Sequence, residues 1–271
     1  MMRDAGVKGD IESDESGFIV PDWPAPASVS ALVTTRTGGV SLSPYESFNL
    51  GDHVGDDERA VAQNRIRLSV LSGLPSKQVR WLSQVHSDRV LEYRAIADAD
   101  PERAAEEADG AVTSCLNLAC VVMTADCLPV LLCNQQGTRV AAVHAGWRGL
   151  LAGILENAVR CFDTGDQLLA WLGPAIGPNC FEVGPAVFDP FTQQSAAARS
   201  AFTAIESSAK AQGERKWLAD IYTLARIRLN QAGVSDVYGG DFCTVTEADR
   251  FFSYRRDGVT GRMASMIWLT E

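Results

Sequence analysis

The chain is poor in histidine and has no paired-cysteine motif. Three histidines occur among 271 residues, at positions 53, 86 and 144, and no CxxC is present. A local zinc-finger spacing is therefore excluded, as is any centre assembled from many imidazoles. The seven cysteines, at 115, 120, 127, 133, 161, 180 and 243, are odd in number. Several sit inside apolar runs, where free cysteine behaves as a small hydrophobe, so they do not read as a secreted disulfide framework. Positive charge is also short. Lys and Arg total 24 against 34 Asp and Glu, for a net charge of -10. That balance argues against a nucleic-acid groove or an anionic membrane surface. The opening MMRDAGVKGDIESDESG has no apolar h-region, and no apolar run approaches the ~20 residues that span a bilayer. A cytoplasmic protein acting on a small molecule is expected, with oligomeric state left open.

No fixed-period repeat, low-complexity tract or linker interrupts the chain. Residues 1–17 are polar and acidic and are expected to form a disordered tail, with 18–271 as a single domain. Strand-like apolar runs recur at Ala31–Arg36, Leu118–Thr124, Val130–Cys133, Val140–His144, Leu168–Gly173 and Met263–Leu269. Their unbroken apolar character predicts sheets covered on both faces. Helices are predicted for Asp56–Leu71, for Leu150–Phe162 from its apolar stripe, and from an Asp220 cap to Ala232 with Gly233 as stop. Residues 185–213 also read as helical. The short polar turn Asn134–Arg139 joins two strands as an antiparallel hairpin, which argues against a doubly wound sheet. An α/β chain is expected.

Two of the three histidines stand where strands end. His144 closes Val140–Val143 and is followed by Ala145-Gly146-Trp147-Arg148-Gly149 and a helix. Such a glycine-containing turn offers backbone amides to an anion, and Arg148 adds a fork of donors, although a plain strand–helix connection with a solvated Arg fits as well. Cys127 follows a buried run, and Pro129 is expected to break the ladder and open the strand there. His86 ends another apolar stretch. Two imidazoles and a thiolate would make a three-ligand zinc site with one open position. Separations of 41 and 17 residues do not by themselves distinguish this from a core cysteine and two satisfied histidines. Further polar loops contain Arg36, Asn49 and His53, a stiff loop runs over 173–182, and another over 251–258; turn chemistry accounts for most of their residues.

The blocks TTRTGGVS, SFNLGDHVGDD, WLSQVHSDRV, ADGAVTS, TADCLPVLL, AAVHAGWRGL, GPAIGPNCFEVG and FFSYRRDGVTGRMAS occur in one order. Together they resemble the laccase-domain family, also called multicopper polyphenol oxidase-like or purine nucleoside phosphorylase-like proteins. The resemblance runs from about residue 18 to the C-terminus. It implies a layered mixed-sheet sandwich flanked by helices, and it implies that His86, Cys127 and His144 are metal ligands. Ser87 stands where relatives usually carry Gly, which is expected to change local backbone freedom but not the ligand.

The resemblance also implies phosphorolysis of adenosine, inosine and methylthioadenosine, with adenosine deamination alongside. Zn²⁺ is the expected cofactor, and Cu²⁺ suits the same donors. The expected catalytic residues are Cys127, His144, Arg36 and Arg148. Arg36, Arg148 and the Gly149–Leu150 amides would hold phosphate, and Asn49 or His53 would contact ribose or phosphate. Deamination would need a carboxylic shuttle, Asp126 or Glu182. Other readings stay open. Some relatives are described as peptidoglycan-editing factors, so the site could instead hydrolyse an amide on a muropeptide precursor. The same open zinc could activate water for it, with Arg148 or Arg255 binding a carboxylate; a further alternative uses Cys127 as nucleophile and His144 as base. A copper polyphenol oxidase is a further alternative, with Met123 as a weak axial ligand. A conventional multicopper mechanism lacks histidines, since only His53 remains after His86 and His144.

Overall fold

The computed structural model describes residues 18–95, 105–206 and 215–271; the expected N-terminal tail lies outside them. Two mixed sheets stack face to face. The first runs β1 (Phe18–Ile19), β2 (Val29–Thr34), β14 (Met263–Leu269), β6 (Ala119–Thr124), β3 (Val79–Arg80). The second runs β13 (Asp236–Gly239), β9 (Leu168–Leu172), β7 (Leu128–Asn134), β8 (Val140–Ala145), β5 (Gly110–Thr113), β4 (Val90–Tyr93). β7 and β8 form the expected antiparallel hairpin. A small antiparallel sheet of β10 (Glu182–Val183), β12 (Trp217–Ala219) and β11 (Phe202–Ala204) stands apart.

Period-two alternation explains why the central strands carry no polar face. On β6, Cys120 and Val122 face the second sheet, while Ala119 and Val121 join the outer core. On β7, Leu131 and Cys133 face inward, while Leu128, Val130 and Leu132 pack on the helical layer. The outer face of the first sheet is covered by α1 (Glu58–Ser72), capped by Asp57, whose carboxylate accepts from the Arg59 and Ala60 amides, and stopped by left-handed Gly73. Helices α2 (Trp147–Ala152), α3 (Ile154–Val159), α4 (Pro185–Gln194) and α5 (Ile221–Gln231) cover the second sheet. α5 is capped by Asp220 as expected.

Three expectations change. The apolar stripe of 150–162 is carried by two helices, because Gly153 adopts φ 104° and turns the chain between α2 and α3. The stripe survives the break, which is why periodicity alone does not reveal it. Of the described residues in 185–213, Pro185–Gln194, a 3₁₀ turn at Ala196–Ala201 and Glu206 are helical. Phe202–Ala204 pairs with β12, and 207–213 lie outside the described residues. Pro129 does not break the ladder: it is the second residue of β7, opposite His144. Cys127 still directly precedes the strand.

The chain passes between the sheets once within the stretch Thr124–Leu128, from the end of β6 to the start of β7. This corner lies at the end of the sandwich where β8 also terminates, so Cys127 and His144 meet there.

Leu131 is fully buried between the two sheets. Leu131→Ala is expected to destabilise the fold by roughly 2–5 kcal/mol in denaturant unfolding. Ile66→Ala, on the exposed face of α1, should stay within about 0.5 kcal/mol.

Candidate metal and catalytic centre

Asp109, the residue before β5, has no solvent exposure, and its carboxylate organises the site. Oδ1 accepts from the His86 amide at 2.9 Å and from His144 Nδ1 at 2.8 Å. Oδ2 accepts from the Ser87 amide at 2.6 Å, from Ser87 Oγ at 2.7 Å and from the Val85 amide at 3.3 Å. Burial alone would raise this carboxyl. His144 and Ser87 outweigh it and hold it down to about 2. The stabilisation from these bonds is present above the ordinary carboxylate range and is lost as pH falls towards 2. The Ser87 side chain, which a glycine there would lack, adds one of the shortest bonds in the set.

With Nδ1 donating to Asp109, His144 presents Nε2 to the cavity. Its ring is buried and meets the exposed His86 ring edge-on, at 4.8 Å between centroids and 74°. Cys127 Sγ lies 3.8 Å from His86 Nε2, and one donor atom from each of His86, Cys127 and His144 falls within 4.8 Å of the others. Among the described residues this is the group of His, Cys, Asp and Glu placed to hold an ion. A tetrahedral ion with bonds of about 2.0–2.3 Å wants donors roughly 3.5 Å apart, so a small contraction would seat one. Gly146 closes one side. A Cβ there would stand 3.0 Å from Cys127 Sγ and 3.2 Å from His86 Cδ2.

Backbone strain sits at the same place. His86 has φ 61° and Asp126 φ 89°, both left-handed and both non-glycine. His86 is held by Asp109 and by Gln84, whose side chain pairs with both backbone groups of Met123. Asp126 is held by Thr244 Oγ1 and the Arg255 amide, each donating to its carboxylate at 2.6 Å, and by the Ile176 amide on its carbonyl at 2.9 Å. These grips orient Cys127.

The charges of the pair are coupled. Burial would raise the Cys127 thiol, but His144 and then His86 draw it well below its usual range. Burial would lower His144, but the Cys127 charge and the Asp109 bond push it up to about 9. The site in its metal-free form is a thiolate–imidazolium pair oriented by a carboxylate.

The other predicted residues are placed as follows. Arg36 stands two residues past the C-terminal end of β2, and Arg262 one residue before β14, which runs antiparallel to both β2 and β6. Arg36 is therefore at the same end of the sheet as Cys127. Its Nε donates to the Glu46 carbonyl, Nη1 to the Ala248 carbonyl, and its plane lies 5.0 Å over Phe252. Arg148 is exposed and stacks 4.4 Å from the Trp147 ring centroid. Helix α2 starts at Trp147, so the Leu150 amide already donates to the Gly146 carbonyl at 2.8 Å. The first-turn amides are those of Trp147, Arg148 and Gly149. Asn49 is fully buried, its amide engaged with Gly51, Asp56 and the Arg262 backbone. His53 is exposed beside Asp52 and outside the donor cluster. Both Asp126 oxygens accept hydrogen bonds, and the Glu182 carboxylate pairs with Lys216 at 2.6 Å. Met123 shares the strand face of Ala119 and Val121 and lies opposite Ala264 on β14.

Sequence reasoning gave no role to Asp109 or Arg262. Asp109 announces itself only as a lone acid before an apolar strand. Arg262 is half-buried with its stem against Gly51; burial lowers its guanidinium on balance, and the charges of Cys127 and Asp126 oppose that.

Asp109→Asn is expected to weaken metal binding about 10- to 100-fold, read by chelator competition, because both histidines lose their anchor. The pH profile follows from His144. Its imidazole keeps a proton up to about pH 9, and a metal must displace that proton. Affinity should fall about tenfold for each pH unit lowered below that value. A flat profile between pH 6 and 8 would contradict the thiolate–imidazolium assignment.

Comparison with known proteins places this geometry. A family model described as multi-copper polyphenol oxidoreductase laccase matches residues 30–270. Purine nucleoside phosphorylase YfiH of Shigella flexneri is 54% identical over 255 residues, 94% of this chain and 99% of that protein. Purine nucleoside phosphorylase PA4543 of Pseudomonas aeruginosa is 52% identical, over 94% of this chain and all of its own length. Among solved structures, Neisseria meningitidis protein NMB0706 superposes with a TM-score of 0.84 at 49% identity, covering 94% of this chain and 100% of its own. YlmD of Geobacillus stearothermophilus gives 0.86 at 31%, covering 96% and 98%. The chain belongs to the multi-copper polyphenol oxidoreductase laccase family.

Proposed function

We propose that this chain is a zinc-dependent purine nucleoside phosphorylase, converting adenosine, inosine or methylthioadenosine and phosphate into free base and ribose 1-phosphate, with adenosine deamination as an accompanying activity. The observation that carries the reading is the solvent-open His86–Cys127–His144 cluster in a chain 54% identical, along nearly its whole length, to a protein named for that activity. On this reading residues 18–271 act as one domain. Seven free cysteines fit a reducing cytoplasm. Among the described residues no helix is long and apolar enough to cross a membrane.

A zinc ion at this cluster would supply Lewis acidity towards the purine or a water. The protein's own groups do the rest. Asp109 fixes the His144 tautomer and, through three backbone amides, the unusual backbone of His86. Arg262 and Arg148 supply positive charge for phosphate, Arg262 beside Cys127 and Arg148 at the exposed rim. Arg36 lines a hollow of about 300 Å³ with Thr37, Glu46, Ser47, Ala248 and Asp249. Two carboxyl groups beside one guanidinium suit ribose hydroxyls better than phosphate. Cleavage of the glycosidic bond builds positive charge on the sugar, which the incoming phosphate and the carboxylates of Glu46 and Asp249 would stabilise.

One observation favours a second reading, amide hydrolysis on a muropeptide precursor. Cys127, His144 and Asp109 also stand as nucleophile, base and orienting acid. A copper oxidase gains no such support, because three histidines cannot furnish a trinuclear copper cluster.

Protein of measured metal content, incubated with adenosine with and without phosphate, separates these readings. Adenine and ribose 1-phosphate should appear only with phosphate, and Cys127→Ala should lose at least ~10³-fold in rate. Inosine as the main product would shift the assignment to deamination. No turnover of nucleoside by zinc-loaded protein, with muropeptide cleavage by the metal-free form, would favour the hydrolase.

A further inference from the structure

His86, the exposed member of the donor cluster, rides on the crossing from β3 to β4. Asp109 grips this crossing through backbone and side chain together. The Asp109 and Gly110 amides both donate to the Arg89 carbonyl, at 3.0 and 3.2 Å, while the Asp109 carboxylate takes the amides of Val85, His86 and Ser87. The helical layer grips the same crossing. The Ser87 carbonyl packs on Gly149 of α2, where a Cβ would come within 2.8 Å of it. Asn157 of α3 donates to the Asp88 carbonyl at 2.8 Å and to its carboxylate at 3.2 Å.

One side-chain hydroxyl completes this grip. Ser87 Oγ donates to Asp109 Oδ2 at 2.7 Å and accepts from the Arg89 amide at 3.3 Å, so the hydroxyl is held as donor and as acceptor. The two carboxylate oxygens divide their partners. Oδ1 carries His144 Nδ1 and the His86 amide. Oδ2 carries the Ser87 amide at 2.6 Å, the Ser87 hydroxyl and the more distant Val85 amide at 3.3 Å. A carboxylate turns easily about its Cβ–Cγ bond, because that torsion is broad and soft. Oδ2 must therefore be pinned if Oδ1 is to stay in line with the His144 ring. Without the hydroxyl, Oδ2 keeps one short bond, that of the Ser87 amide.

We propose that Ser87 is a positioning residue for the metal site, acting through Asp109 to fix the carboxylate plane and with it the His144 ring and the His86 backbone. The inference rests on the metal reading above. Ser87 itself touches neither ion nor substrate. Partners that orient a ligating imidazole control how firmly an ion is held, and losing one typically costs 10- to 100-fold in affinity. Ser87 acts one hydrogen bond further out, which sets its effect at the lower end of that range.

Release of zinc from the loaded full-length protein into excess chelator reads this role. Ser87→Ala is expected to release zinc about tenfold faster than the unmodified chain, and Ser87→Gly at least as fast. Ser87→Thr keeps the hydroxyl and should stay within about twofold of the unmodified rate. With cobalt in place of zinc, the visible d–d bands should change in Ser87→Ala and return in Ser87→Thr. In the metal-free protein, the His144 ring N–H resonance should broaden in Ser87→Ala through faster exchange with water, at temperatures where thermal unfolding shows the variant folded. An unchanged release rate with unchanged cobalt bands and an unchanged His144 resonance in Ser87→Ala would overturn this inference alone. Unmodified protein that takes up neither zinc nor cobalt would overturn the metal reading and this inference with it.

Discussion

The site depends on one buried carboxylate. Asp109 accepts five hydrogen bonds on two oxygens, and they come from both arms of the candidate metal site: the backbone around His86 with the Ser87 hydroxyl, and the ring of His144. A buried charge without partners is strongly unfavourable, so the chain can keep Asp109 ionised only while those donors stay in place. The demand works in reverse too. The left-handed backbone at His86 is strained on its own and is tolerated because three consecutive amides must point at the carboxylate.

The layered sandwich makes this possible. Each central strand buries both faces, one against the other sheet and one against helices, leaving the strand ends as the place for polar chemistry. β5, β6, β7, β8 and β14 all reach one edge of the stack, and Asp109, Cys127, His144 and Arg262 sit at or just beyond their ends. Functional side chains thus rest on short corners anchored in a dry core. The strained Asp126 corner, gripped from two later loops, sets the direction of Cys127.

The same three groups suit two chemistries. Without metal, a thiolate–imidazolium pair oriented by Asp109 would supply a nucleophile and its proton-transfer partner. His86, Cys127 and His144 are also placed so that they could hold an ion, which would need the His144 Nε2 and the Cys127 sulfur deprotonated. Metal occupancy would then decide whether Cys127 serves as a ligand or as a nucleophile.

Much of this was legible in the sequence. Six apolar runs marked the central strands, Asp57 and Asp220 lie where helix starts were read, and the short polar turn after β7 gave the hairpin that excludes a doubly wound sheet. Short strands such as β3 and β10 escaped, since two residues carry no period, and Gly153 broke a helix whose stripe ran on regardless. Motif blocks singled out His86, Cys127 and His144, but spacing could not bring them together, because 41 and 17 residues of intervening chain have no local geometry. Tertiary structure did so by bringing to one end of the sandwich the β3–β4 crossing that carries His86, the β6–β7 crossing that carries Cys127 and the end of β8 that carries His144. It also decided what the blocks could not: that Asp109 binds the backbone of His86 and the ring of His144, that Asn49 is spent within the fold, and that Arg262 is near enough for the Cys127 charge to act on it. The sequence determined which side chains are chemically capable. Tertiary packing, which turns a lone acid into an anchor and sets a thiol close enough to an imidazole for the pair to carry opposite charges against the cost of burial, is a property of the packed layers alone.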